Sequence, residues 1–105
     1  MHDDMASERI PPHNLEAEQS LLGSLLLDKE SMIKIADIVH PEDFYRDSHR
    51  LVFDTMLDLY ERHDPIDLLA LGNRLEEKNF LQKIGGRAYL VELSNMVPTS
   101  AHVVH

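Results

Sequence analysis

Five prolines and one glycine pair set how long any regular element in this 105-residue chain can be. Proline has no amide hydrogen and its ring clashes with the preceding turn, so a helix cannot run through it freely. Pro11-Pro12, Pro41, Pro65 and Pro98, with the Gly85-Gly86 corner, divide the sequence into short stretches. Within those stretches the apolar residues recur every three or four positions, which marks one face of a helix. No alternating strand pattern occurs anywhere. The spacing therefore predicts an all-α fold, a compact bundle of about five to six short helices, in keeping with the usual length of helices in globular domains.

The first stretch opens on Asn14, a suitable N-cap, and places Glu16 in the first turn, where an acid suits the helix dipole. Leu15, Leu22, Leu25 and Leu26 form its stripe. A second helix is expected over Glu30 to His40, with Met32, Ile35, Ala36 and Val39 inward and Pro41 as its stop. Phe44 and Tyr45 are expected to tuck into the core from a turn.

Asp47 or Ser48 would cap a third helix reaching about His63. It is the most strongly amphipathic stretch, with Val52, Phe53, Met56, Leu57, Leu59 and Tyr60 on one arc. Asp67 caps a fourth, about 68 to 79, with Leu68, Leu71 and Leu75 on one face and Gly72 beside them. Phe80, Leu81 and Ile84 anchor a connector or single turn. A last helix spans about Arg87 to Met96, with Leu90, Leu93 and Val97 inward, and Pro98 ends it. The expected core is Leu25, Phe53, Met56, Tyr60, Leu71, Leu75, Leu90 and Leu93.

Residues 1 to 10 carry no periodicity and read as a disordered tail. Residues 11 to 98 form the helical domain. Residues 99 to 105 look like a cap and a helix that has only begun, as at the start of a linker or helical hairpin, which suggests a piece of a longer protein.

Lys plus Arg is 10 and Asp plus Glu is 19, a formal charge of −9. Such an excess of acid repels phosphate backbones and favours a basic or neutral protein surface as partner. There is no cysteine, so disulfide scaffolds, thiolate metal sites and cysteine nucleophiles are excluded, and a reducing cytoplasm fits. No apolar run reaches the roughly 18 residues of a membrane span.

Seven histidines raise the question of a metal-dependent hydrolase. No H-E-x-x-H pair exists, and no two histidines stand at i, i+4. Scattered surface or half-buried positions are the plainer reading. His49 falls on the apolar arc of the third helix, where a bond to a backbone group or carboxylate outweighs a ligand role. Most acids lie on polar faces and in caps. Glu18 instead sits inside the leucine arc of the first helix. It must find a partner or tilt outward, as a structural salt bridge or as part of an interaction surface. Gly85-Gly86 precede a helix, but the phosphate-loop pattern is absent. No catalytic, cofactor-binding or metal residue is assigned. The protein-docking candidates are Tyr89, at the margin of the last helix's stripe, with Glu92 and Glu18. A marginal tyrosine packs its ring while offering its edge and hydroxyl to a partner.

Four strings then appear in order. PPHNLEAEQSLLGSLLLD resembles the start of the N-terminal domain of bacterial replicative DNA helicases of the DnaB type. PEDFYRDSHRLVFDTM is similar to that family's D-F-Y…H…I-F segment, PIDLLAL to its P-[IV]-D-L stretch, and IGGRAYLVELSNMVPTSA to its G-G-x-x-Y-L-x-E-L…P-[ST]-A-A segment. The resemblance covers residues 11 to 105. His102 departs from it, standing where the family often has a second small residue.

The resemblance implies a collar domain of a hexameric, ATP-driven motor of the bacterial cytoplasm that acts in DNA replication. It implies self-assembly into a ring, or a dimer for this segment, and docking of the primase C-terminal domain and of a helicase loader. ATP and Mg would belong to a motor domain beyond residue 105, with no cofactor and no enzymatic activity in this segment and little direct DNA binding. The alternative is a freestanding all-α adaptor that binds a partner helix.

Overall fold

The computed structural model describes residues 14–96. The tail over 1–10, the Pro11-Pro12 stop, Val97, Pro98 and the helix start expected after 99 lie outside the described residues. Within them the chain is all-helical and forms α1 (Leu15–Leu27), α2 (Lys29–Ile35), a 3-10 turn η1 (Pro41–Asp43), α3 (Asp47–Glu61), α4 (Leu68–Glu77), α5 (Leu81–Ile84) and α6 (Gly86–Ser94).

Two of the expected caps form. Asn14 Oδ1 accepts from the Ala17 amide at 3.0 Å, and Asp67 Oδ1 accepts from the Ala70 amide at 2.8 Å. Each satisfies an amide that the first helical turn leaves unpaired. Asp28 is extended (φ −133°) and its side chain accepts from the Glu30 amide, so one residue ends α1 and starts α2.

Other boundaries differ from expectation. α2 stops at Ile35 rather than His40. Both the Ile38 and Val39 amides turn back to the Ile35 carbonyl. His40, preceding Pro41, is extended at φ −121°, ψ 156°, as a residue before proline prefers. Neither Asp47 nor Ser48 caps α3. Arg46 holds the cap position through its backbone carbonyl, and Asp47 pairs with Arg50 inside the first turn. Phe44 enters the core as expected, but Tyr45 is 51% exposed. The chain alternates direction at this turn, so only one of two adjacent rings faces inward.

The core gathers residues from every α-helix into one cluster. Leu25, Phe53, Met56, Leu71, Leu75, Leu90 and Leu93 are fully enclosed, while Tyr60 packs from the edge and is only partly buried. α6 lies between α1 and α4, and α3 packs on α1, α4 and α5. That arrangement brings residues from α1, α3 and α6 to a common point.

Candidate functional site

Two polar side chains from the apolar faces meet at that point. Glu18 on α1 and His49 on α3 are each 0% exposed. Glu18 Oε1 lies 2.7 Å from His49 Nδ1, and Glu18 Oε2 accepts from the Tyr45 amide at 2.6 Å. On the far side of the imidazole, His49 Nε2 lies 2.6 Å from the Tyr89 hydroxyl on α6. Gln19 Nε2 donates to that hydroxyl at 3.3 Å. The His49 and Tyr89 rings are nearly parallel, 13° apart, and Phe44 meets the imidazole edge-on with centroids 6.5 Å apart.

The protons can be placed by elimination. Burial disfavours the charged imidazole and, despite the neighbouring Glu18, holds the His49 pKa below its ordinary value of 6.5. His49 is therefore neutral near pH 7. A carboxylate accepts only, so Nδ1 carries the hydrogen and donates to Glu18. Nε2 is then an acceptor, and the Tyr89 O–H donates to it while accepting from Gln19. Among the described residues no buried side-chain nitrogen or oxygen lacks a partner.

In connectivity, Glu18–His49–Tyr89 follows the orienter, base and hydroxyl order of a nucleophilic triad. The surroundings give it no such use. The carboxylate and imidazole are enclosed, and the hydroxyl is held from two sides by Gln19 and His49. The arrangement ties three helices and the turn before α3 together, with a proton fixed at each joint. Among the described residues no group of three or more His, Cys, Asp or Glu is placed to hold a metal ion.

The docking candidates are thus divided. Of the two expectations for Glu18, the structure favours the structural one, as a buried hydrogen bond with a neutral His49 and not a full ion pair; its side chain has no exposed surface to give a partner. Tyr89 sits at the margin of α6 as expected and is half-buried, but its hydroxyl faces inward to His49 rather than outward. Its ring lines an open cleft with the start of α3 and the α5–α6 corner. Glu92 is exposed, one turn further along α6. Gln19, which closes the chain of bonds, carried no signal in the sequence. His49 did, as a polar residue on an apolar arc.

The chain matches the family described as DnaB-like helicase N terminal domain over residues 10–105. Among curated proteins it is 43% identical to the replicative DNA helicase DnaB of Geobacillus stearothermophilus and 37% identical to the replicative DNA helicase DnaC of Bacillus subtilis (strain 168), each over 100 residues. Those matches take in 95% of this chain and 22% of each relative, so the chain spans about a fifth of their length. Among solved structures it is similar to the N-terminal domain of DnaB helicase from Mycobacterium tuberculosis, with a TM-score of 0.81 and 42% identity, over 88% of this chain and 67% of that one. Fold, motif order and family agree: the chain belongs to the DnaB-like helicase N-terminal domains.

Proposed function

We propose that this domain is the assembly and docking collar of a bacterial replicative DNA helicase. The observation that carries the reading is the family match over residues 10–105. In this reading the domains associate with one another in a hexameric ring, and their outer surface receives the C-terminal domain of primase and a helicase loader. ATP, Mg and duplex unwinding belong to a motor domain of the whole protein, which works in the bacterial cytoplasm. What supports assigning the chemistry elsewhere is the domain's polar centre, whose hydrogen bonds are spent on holding helices together. The edge of α6, with the Tyr89 ring and Glu92, is the proposed docking side.

The test is binding of the purified primase C-terminal domain to this chain by calorimetry, with Tyr89→Ala and Glu92→Lys variants and a thermal melt of each. Weakening of about tenfold or more, about 1.4 kcal/mol, in a variant that keeps its melting temperature supports the reading. Unchanged binding in every folded variant removes the α6 edge from the docking surface.

A further inference from the structure

Among the described residues, five cations are spent on acids. Arg50 pairs with Asp47, Arg62 with Asp64, Arg74 with Asp58 and Glu77, Lys78 with Asp58, and Arg87 with Glu76. With 19 acids against 10 bases, every base could find a partner. Three exposed cations, Lys34, Arg46 and Lys83, have no acidic partner among the described residues, and two of them, Arg46 and Lys83, stand together. They line the same cleft, about 590 Å³, between the start of α3 and the α5–α6 corner.

The cleft is shaped as well as charged. Ile84, buried, and the half-buried Tyr89 line it with apolar surface, and Ser48 adds a hydroxyl. Lys83 Nζ stands 5.2 Å from the Phe80 ring centroid. An aromatic face attracts an ammonium without pairing it to an acid, so the contact with Phe80 leaves Lys83 without an acidic partner. Arg46 makes no side-chain cap bond to α3.

The geometry points to this cleft as the binding site for a short acidic peptide segment of a partner protein. Carboxylates of the segment meet Arg46 and Lys83, and an apolar side chain rests against Ile84 and the Tyr89 ring. The inference deepens the docking reading and rests on it for the role of the α6 edge. Local charge selects the occupant, against the basic or neutral partner that the net charge of −9 favours for the surface as a whole. Charges further than a Debye length of about 8 Å are screened at physiological salt, so a short segment feels chiefly the two cations it touches. A nucleic-acid strand continues past them, over a chain of net charge −9. A lone inorganic anion leaves the apolar wall unused.

Fluorescence anisotropy on the 105-residue chain at about 150 mM salt decides, using three labelled probes. They are a short peptide alternating Glu with Leu, its Lys-for-Glu counterpart, and an oligothymidine of equal length. The acidic peptide is expected to bind at least about tenfold tighter than the other two. Arg46→Glu and Lys83→Glu should each weaken it by a similar factor with unchanged melting temperature, while Lys83→Arg retains it. Equal binding of the basic peptide or the oligothymidine overturns the inference. So does indifference to both charge reversals, displacement by millimolar inorganic phosphate, or a dimer of this chain that the same reversals dissociate. If the primase C-terminal domain binds wild type and both reversals alike while the peptide does not bind, this inference fails and the docking reading survives. If neither binds, both fail.

Discussion

A buried carboxylate costs several kcal/mol unless its oxygens are met by donors. In this domain Glu18 is met by the Tyr45 amide and by His49 Nδ1. Removing the imidazole leaves that charge with one donor and the Tyr89 hydroxyl without an acceptor. His49→Ala should therefore cost about 3–5 kcal/mol, the range for breaking a buried pair. Tyr89→Phe deletes a hydroxyl and keeps the ring, and should cost about 1 kcal/mol. Urea denaturation of both variants checks this. Equal costs would mean that the imidazole contributes through its volume and not through its two bonds.

The same residue predicts a pH dependence. The folded His49 has its pKa below 6.5, while the unfolded residue titrates at the ordinary value. Between the two pKa values the unfolded chain binds more protons, so stability rises with pH there. The contribution is fully present above about 6.5 and is lost as pH falls below it. Melting temperatures of wild type and His49→Asn across pH 5 to 8 should converge toward the acid end. Parallel curves would mean that His49 does not titrate on unfolding.

At the scale of elements, α3 shows what amphipathic spacing achieves alone. Its arc of Val52, Phe53, Met56 and Leu59 is buried along the length that the pattern predicts, although its cap is not the expected acid. The α5–α6 corner shows the opposite dependence. Gly85 has φ +108° and Gly86 has φ +79°, a region L-residues rarely adopt. A Cβ on Gly85 would also stand 3.0 Å from the Tyr89 Cβ, whereas one on Gly86 meets nothing within 4 Å. Both alanine substitutions should destabilise, with Gly85→Ala the costlier at about 1–3 kcal/mol. Guanidinium denaturation of the two variants tests the order. A reversed order would show that the contact with Tyr89 relaxes freely.

The whole molecule is small, acidic and held by one apolar cluster fed from every α-helix. Its net charge of −9 opposes the counterion release that drives binding to phosphate backbones. Anisotropy with labelled single-stranded and duplex DNA at about 150 mM salt should show affinity no better than micromolar, the non-specific regime. Sub-micromolar binding by this chain would contradict the assignment of its outer surface to protein partners.

Much of this was legible in the residues. Helix number, the α1 and α4 caps and nearly all of the core follow from periodicity, because burying an apolar stripe dominates the stability of short helices. Glu18 and His49 could each be seen to need a partner. That they are each other's partner could not, since 31 positions separate them and spacing along a helix says nothing about which faces meet. The inward turn of the Tyr89 hydroxyl and the solvent exposure of Tyr45 were equally invisible. Ring placement there depends on how α6 and the turn before α3 pack against α1, and a half-apolar side chain is stable facing either way until that packing chooses. The convergence of Arg46 and Lys83 on one cleft belongs to the same class. Each is an ordinary surface cation in the sequence, and only the docking of the α5–α6 corner beside the start of α3 sets them on the same cleft.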